Sequence, residues 1–362
     1  MGLKVPRVLD APLYVALRAA LGLTTFGDLP TTLAAAERLG RAWGGSRVNR
    51  GRLRRAMANL AEAFPDWEPE RREHHALLSY EHLFKLAVET ARAPRLLNED
   101  AWSAQVLPRN IRDSMVHMVS GRPSIMITGH AGNWEVLGYA MALLGFPLHA
   151  LYRPLDVAAL DRWVRETRGR RGLVLVDKFG AAQRLPEILS RGAACAFVAD
   201  QNAGDRGLFV PFFGRLASTY KTIGLLALRH RAPLICGHAV RLPPERDGTF
   251  DSSRALRYAL DVVDTVRPED WEAHEDPLFY ITARFRRAIE TMVRRAPEQY
   301  LWMHRYWKSR PRHERLGRPF PDALRRKLAT LPWMTPGDIE RLVDRSRADA
   351  TELAGNAEPR PG

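Results

Sequence analysis

The chain has 362 residues, and 46% of them are hydrophobic, which is enough for a full core and argues against global disorder. Lys and Arg total 55 against 41 Asp and Glu, giving a formal net charge of +14, and this excess favours an anionic partner such as a nucleic acid, an anionic membrane face or an acidic substrate. No uninterrupted run of about 18 apolar residues occurs, so no standard transmembrane helix is expected.

The first hundred residues are predicted to be helical. Apolar residues recur at helical spacing through Leu33–Trp43, Leu53–Phe64 and His74–Thr90. Before them, Pro12–Leu23 could lie in a membrane interface or form an ordinary amphipathic helix, and the sequence does not decide between the two. A basic cluster beside the second helix comprises Arg47, Arg50, Arg52, Arg54 and Arg55. It is either a solvated helix face or a contact for lipid headgroups or phosphate.

From about residue 121, short apolar runs alternate with helical stretches. The predicted strands are Ser124–Thr128, Pro147–Tyr152, Leu173–Val176, Ala193–Ala199 and Leu234–Val240, with a further one in 255–264. The predicted helices are Trp134–Leu144, Val157–Arg168, Ala181–Ser190, Thr222–His230 and 277–295. This alternation predicts an α/β fold with a mainly parallel central sheet flanked by helices and preceded by an N-terminal helical segment. Sheets of this kind carry their sites at the carboxyl ends of the strands.

Several common chemistries leave no trace in the sequence. It contains no P-loop, no GxGxxG fingerprint, no HExxH, no CxxC, no GxSxG elbow and no recognisable nucleic-acid module. The two cysteines, Cys195 and Cys236, lie inside apolar runs and are predicted to be core residues. We therefore expect no metal, no cofactor and no nucleic-acid partner.

The segment Ser124–Gly138 is the most informative part of the chain. Its strand–turn–helix pattern places His130 at the carboxyl end of a strand and Glu135 in the first turn of the next helix. The spacing predicts that Glu135 meets the His130 imidazole across the turn and fixes its tautomer, so that His130 could take a proton from an attacking hydroxyl. Gly129 and Gly132 would let backbone N–H groups approach a developing oxyanion. The alternative is a purely structural hydrogen bond at a strand-to-helix turn.

The residues around this motif resemble a known family. His130 and Glu135 within GHAGNWE are similar to the signature of the lysophospholipid acyltransferase superfamily, and the fuller match is to its bacterial lipid A biosynthesis (lauroyl/myristoyl) acyltransferases. Further blocks follow in the order of that family: Arg55 with Asn59, Leu60, Phe64 and Pro65; Tyr152-Arg153-Pro154; Arg165 with Arg168; Asp200-Gln201; Val210–Gly214 with Ala217, Thr219 and Gly224; and Pro297–Arg305 with Lys308, Arg310 and Pro311. The ordered set is more specific than any one block.

The resemblance implies an O-acyltransferase that moves a fatty acyl chain from a thioester of acyl carrier protein or coenzyme A to a glycolipid or lysolipid hydroxyl. It implies that His130 is the general base and that Glu135 orients and charges it. The residues expected to bind substrate are Arg153, Arg168, Asp200 and Asn133. Asp200 is expected to pair either with one of the arginines or with His130.

Five further aromatic or basic residues are open to either a structural or a functional interpretation. Phe212 and Phe213 either shape an acyl channel or lie in the core. Trp302, His304 and Arg305 are expected on a helix near the C-terminus in mainly structural roles, with Arg305 as a candidate contact for substrate phosphate.

The resemblance also implies an organisation and a location. Residues 1–100 are expected to form a membrane-associating helical segment, 101–320 the acyltransferase α/β domain, and 321–362 a C-terminal helix and loose tail. The protein is expected on the cytoplasmic face of the inner membrane, peripheral or weakly anchored, with anionic lipid as a partner. Two alternatives stay open: an acyl thioesterase on the same scaffold, and a non-enzymatic basic lipid-binding protein.

Overall fold

The computed structural model describes residues 11–357 except 13, 17, 20, 21, 23, 101, 147, 156, 170, 171 and 244–255. The helices are α1 (Leu29–Gly45), α2 (Arg50–Ala63), α3 (Pro69–Leu96), α4 (Trp102–Gln105), α5 (Arg112–Val119), α6 (Trp134–Leu143), α7 (Ala158–Gly169), α8 (Ala181–Ser190), α9 (Lys221–His230), α10 (Pro268–Glu272), α11 (Pro277–Arg295), α12 (Arg312–Arg315), α13 (Asp322–Ala329) and α14 (Pro336–Ala357). The strands are β1 (Val106–Arg109), β2 (Ser124–Thr128), β3 (Leu148–Tyr152), β4 (Val174–Asp177), β5 (Ala194–Val198), β6 (Leu208–Phe212), β7 (Arg215–Thr219), β8 (Leu234–Arg241) and β9 (Tyr258–Val266).

In the described part of the chain, seven strands form one sheet in the order β1-β9-β8-β2-β5-β3-β4. Every neighbouring pair is parallel except β8 and β9, which run antiparallel. The predicted mainly parallel α/β fold is therefore confirmed. The strand β2 lies in the middle of the sheet, between β8 and β5, with Thr128 opposite Val198 of β5. The residues that follow β2 and β5 consequently meet at one edge of the sheet.

The hairpin β6–β7 was not expected from the sequence. Its turn consists of Phe213 and Gly214, which have φ angles of 51° and 70°, as a two-residue turn between twisted strands requires. The unusual conformation of Phe213 is supported because its N–H donates to Glu290 Oε2 at 2.7 Å. Both Phe212 and Phe213 are buried in the main hydrophobic core, which agrees with the structural alternative for this pair.

The N-terminal helices are longer than their apolar patterns indicated. The helix α1 begins at an Asp28 cap, whose carboxylate accepts from the Thr31 N–H at 2.9 Å. It crosses α3 very closely, since a Cβ atom at Gly40 would lie 2.6 Å from the carbonyl oxygen of Tyr80. Only part of Pro12–Leu23 lies within the described residues, and those residues are helical. Its membrane-interface role stays a prediction.

The main core joins all three predicted segments. It contains Leu60 of α2, Ile127 of β2 and Leu342 of α14, so the chain packs these parts against a common interior. The predicted burial of the two cysteines is confirmed, and Cys195 and Cys236 are free thiols on β5 and β8. The domain boundaries themselves stay a prediction. None of the helices in the described ranges combines the length and apolar character needed to cross a bilayer.

Candidate active site

The loop between β2 and α6, residues 129–133, carries His130 to the carboxyl edge of the sheet. Gly132 has φ +66°, and a Cβ atom there would lie 2.1 Å from the carbonyl oxygen of Ala239, so only glycine fits. The Gly132 N–H donates to the carbonyl of Gln299 at 2.7 Å, and the Asn133 N–H donates to that of Ala239 at 2.8 Å. The loop is therefore held between β8 and the segment that follows α11.

Asp200 is the partner of His130. The Nδ1 atom of His130 lies 2.7 Å from Asp200 Oδ1, and the backbone N–H of His130 donates to Asp200 Oδ2 at 2.9 Å. Burial alone would raise the pKa of Asp200, but the charge and hydrogen bonds of His130 outweigh burial and bring that pKa below its usual range. When Nδ1 carries a proton, the carboxylate accepts its hydrogen bond and directs the opposite nitrogen, Nε2, away from Asp200.

The predicted contact between Glu135 and His130 is wrong. Glu135 Oε2 accepts from Arg168 Nε at 2.7 Å, its Oε1 accepts from Arg168 Nη2, and Oε1 also accepts from Trp134 Nε1 at 3.0 Å. The cause is the sheet order: β5 adjoins β2 and delivers Asp200 beside His130, whereas the first turn of α6 directs Glu135 towards the end of α7. A spacing of five residues could not reveal which carboxylate the sheet supplies.

The arginines expected at this edge differ in their surroundings. Arg168 is bound in the two-pronged geometry suited to a carboxylate, and its guanidinium also lies 5.1 Å from the centre of the Tyr152 ring. Burial lowers the pKa of Arg168, but Glu135 more than compensates and raises it overall. Arg153 is exposed directly after β3, at the same edge of the sheet, and its predicted role in substrate binding stays a prediction.

Asn133 does not have the surroundings of a substrate-binding residue. Its side chain is fully buried, and its Oδ1 accepts from the Val136 N–H at 3.0 Å as the N-cap of α6. Its Nδ2 donates to Glu89 Oε2 at 2.9 Å and to the Tyr258 hydroxyl at 3.1 Å. The predicted role of Asn133 in substrate binding is therefore wrong. Its polar atoms bind other residues inside the protein and fix the start of the helix α6.

A buried polar network supports the loop from behind. Arg241 of β8 forms a two-pronged ion pair with Glu89 of α3, and its Nη1 donates to Nδ1 of His82 at 3.2 Å. The opposite nitrogen of His82, Nε2, donates to the carbonyl oxygen of Gly132 at 3.1 Å. Burial lowers the pKa of His82 to about 3, and Arg241 acts in the same direction, so the ring is neutral. Sequence reasoning missed this network, because its members are far apart along the chain.

The expected helix around Trp302–Arg305 is wrong, since residues 302–304 form a turn and a bend and residues 301 and 305 have no regular secondary structure. Tyr300 pairs with Ala131 as an isolated β-bridge, which lays this segment directly along the loop 129–133. As a result, the ring of His304 lies 4.8 Å from that of His130, centre to centre. Burial and the nearby His130 lower the pKa of His304 to about 4. Its buried Nε2 has no hydrogen-bond partner among the described residues.

Arg286 on α11 lies behind Asp200 and was also missed. It is completely buried, and its Nη1 donates to the carbonyl of Asp200 at 2.7 Å and to that of Ala199 at 3.3 Å. Its guanidinium carbon lies 3.9 Å from the centre of the Phe212 ring. Arg286 therefore holds the backbone directly after β5, from which the Asp200 carboxylate projects.

The loop offers fewer N–H groups to an oxyanion than its glycines suggested. Those of His130, Gly132 and Asn133 already donate to Asp200, Gln299 and Ala239, respectively. Over the described residues, no protein acceptor occurs for the N–H groups of Ala131 and Trp134. Trp134 is the first residue of α6, where the helix dipole favours a negative charge.

These features define a class of α/β protein in which a histidine–carboxylate pair lies at the carboxyl ends of adjacent parallel strands in the middle of the sheet. Residues 5–309 match the sequence family described as bacterial lipid A biosynthesis acyltransferase, and the chain belongs to that family. It is similar to the lipid A biosynthesis palmitoleoyltransferase of Escherichia coli (strain K12), with 28% identity over 273 residues, covering 71% of this chain and 78% of that protein. A lipid A biosynthesis acyltransferase of Shigella flexneri matches to the same extent. The protein is thus an acyltransferase.

Proposed function

We propose that the protein transfers a fatty acyl chain from a thioester of acyl carrier protein or coenzyme A to a hydroxyl group of a lipid A-like glycolipid. The observation that carries this proposal is the His130–Asp200 pair in a chain of this family. The relatives named above act in lipid A biosynthesis, which supports a glycolipid acceptor. The net charge of +14 suits both an anionic lipid and an acidic carrier protein.

In the proposed reaction, His130 Nε2 removes the proton from the acceptor hydroxyl as its oxygen attacks the thioester carbonyl. Asp200 stabilises the imidazolium that forms, as the third member of a catalytic triad does. In this proposal the oxyanion accepts hydrogen bonds from the N–H groups of Ala131 and Trp134, which have no acceptor among the described residues. When the carbon–sulfur bond breaks, the imidazolium returns its proton to the thiolate, leaving an ester and a free thiol. The protein's own residues account for each proton, so the proposed transfer involves no metal or cofactor.

The central test is acyl transfer by purified protein, with the ester product identified by mass spectrometry. His130→Ala is expected to lower the rate by about 10²-fold or more, the usual contribution of a general base. His74→Ala, at an exposed histidine on α3, is the matched control and should behave as wild type. Near-normal transfer by a folded His130→Ala protein would refute the mechanism. Release of free fatty acid at the same rate with and without acceptor would favour the thioesterase alternative.

We further propose that the protein acts at an anionic membrane surface. The N-terminal region exposes apolar side chains that the core does not use. Among them are Phe26 in the turn before α1, Leu39 on α1 and Val48 between α1 and α2, which are 87%, 61% and 82% exposed. Arg47 and Arg50 flank Val48 in the sequence and suit anionic headgroups. Vesicle flotation tests this. Binding should require anionic lipid, fall with added salt, and weaken in Val48→Ser. Retention in native membranes through high salt and alkaline washing would contradict a peripheral mode.

A further inference from the structure

The helix α2 is fastened to the segment that carries His304. Nδ2 of Asn59 donates to the carbonyl oxygen of Trp302 at 2.7 Å and to that of His304 at 2.8 Å. Four residues earlier, Arg55 Nη1 donates to the carbonyl oxygen of Met303 at 3.3 Å. These bonds place one face of α2 alongside the segment whose histidine touches His130.

That face of α2 carries two arginines, and the segment opposite supplies a third. Arg52 and Arg55 are one helical turn apart and lie on the same side as Asn59. Arg305 follows His304 and is exposed. Arg55 lies between the other two, since it is one turn from Arg52 and its Nη1 reaches the carbonyl oxygen of Met303, two residues before Arg305. Burial lowers the pKa of Arg55, and the positive charges of Arg305 and Arg52 lower it further.

Among the residues that the structure describes, no carboxylate neutralises these three arginines. Across the ranges that the structure describes, none of Arg52, Arg55 and Arg305 forms an ion pair, whereas Arg215 and Arg241 each pair with a carboxylate. Placing like charges together without a counterion costs stability. An anionic ligand would remove that cost, and a planar guanidinium is suited to the oxygens of phosphate.

We propose that Arg52, Arg55 and Arg305 form a subsite for a phosphate group of a substrate, beside the His130–Asp200 pair. The inference rests on the proposed function. The link to the reacting atoms is short: Arg55 binds the chain at Met303, and the next residue, His304, has its ring centre 4.8 Å from that of His130. The phosphate has two possible sources, the headgroup of the acceptor and the pantetheine arm of the donor.

Kinetics with matched substrates separate these sources. Assays in neutral detergent micelles compare acyl-coenzyme A with an acyl-N-acetylcysteamine thioester, which has no phosphate, and a phosphorylated glycolipid acceptor with its dephosphorylated form. Arg55→Gln and Arg305→Gln should raise KM about tenfold or more for the substrate whose phosphate occupies the subsite, with kcat changed less than threefold. KM for the phosphate-free counterpart should be unchanged. Arg54→Gln is the control, because Arg54 is exposed on a different face of the same helix.

An equilibrium measurement keeps the two proposals distinct. Kd for acyl-coenzyme A and for the phosphorylated acceptor is measured in a His130→Ala background, where no turnover is needed. A tenfold or larger loss of affinity for one of them on adding Arg55→Gln supports the subsite even if wild-type protein transfers no acyl chain. Unchanged Kd and KM for both phosphate-bearing ligands in Arg55→Gln and Arg305→Gln would overturn the subsite, while normal His130-dependent transfer would leave the proposed function standing.

Discussion

The two sides of the loop 129–133 are built on opposite principles. Behind it, Glu89, Arg241 and His82 form ion pairs and hydrogen bonds with one another and with the loop itself. In front of it, the ring centre of His304 lies 4.8 Å from that of His130, and the buried Nε2 of His304 has no hydrogen-bond partner among the described residues. Saturated polar groups hold a backbone in place, whereas a polar group without a partner can still form a hydrogen bond with a substrate. We therefore expect mutations behind the loop to change mainly stability and mutations in front of it to change mainly activity.

The largest effect is expected behind the loop. Arg241→Met leaves Glu89 buried without its counterion, and breaking a buried ion pair in this way costs about 3–5 kcal/mol. Chemical denaturation should show this loss in the free energy of unfolding. Arg191→Met removes an exposed partner of Glu187 and should cost less than about 1 kcal/mol. Equal losses in the two variants would mean that the network does not support the fold.

In front of the loop, Asp200→Asn should reduce catalysis and spare stability by comparison. The amide cannot hold the proton on Nδ1 of His130 as a carboxylate does, so kcat/KM should fall about 10²-fold or more. Circular dichroism and the unfolding midpoint check that the protein remains folded. If Asp200→Asn keeps more than a tenth of wild-type kcat/KM, Asp200 is not the functional partner of the base.

The pH dependence of stability should reveal the support layer. His82 has a pKa near 3 when folded but about 6.5 when unfolded, so below pH 6.5 the unfolded chain binds a proton that the folded chain does not. Stability is therefore lost as the pH falls, by about 2 kcal/mol between pH 7.5 and pH 5 from this residue. Denaturation at the two pH values should show a smaller difference for His82→Gln. The exposed His74→Gln should retain the wild-type difference, and an unchanged difference in His82→Gln would count against this assignment.

The smallest effect concerns the pair to one side of the site. Glu135 and Arg168 contact each other and not Asp200, so Glu135→Gln and Arg168→Met should be non-additive, with a coupling of about 1 kcal/mol in the activation free energy. Arg168→Met combined with Asp200→Asn should be additive. Values of kcat/KM for the single and double mutants test both statements. The opposite pattern would connect Arg168 to the His130–Asp200 pair.

Local patterns predicted the fold well because each element has its own period of apolar residues. The strand Ser124–Thr128 and the helix Ala181–Ser190 have the predicted bounds. The prediction failed where tertiary contacts override the local pattern. The segment 301–305 has no helix because its backbone groups form hydrogen bonds with α2 and with the loop 129–133. The β6–β7 hairpin depends on a turn at Phe213 and Gly214 that the sequence of Val210–Gly214 alone did not reveal.

The candidate site was predictable one residue at a time but not as pairs. His130 could be placed at a strand end, since that needs only the boundary between two elements. The partner of His130 depends on which strand adjoins β2, and this is a property of the topology. The sequence predicts a substrate contact at Asn133 because nothing local distinguishes a buried helix cap from a polar site residue.

The loop 129–133 is bound to the segment that follows α11, and this has a consequence for how the chain acquires activity. Asn59 and Trp302 are 243 residues apart, and the Trp302 N–H donates to Ser79 Oγ at 3.0 Å across 223 residues. Contacts of such long range form only after most of the chain has been synthesised and its loops have closed. A nascent chain that ends before Pro297 contains both His130 and Asp200 yet lacks Gln299, Tyr300 and Leu301, which hold the loop 129–133 in place. Assembly of the site is thus a late event in folding, well after the local helices can form.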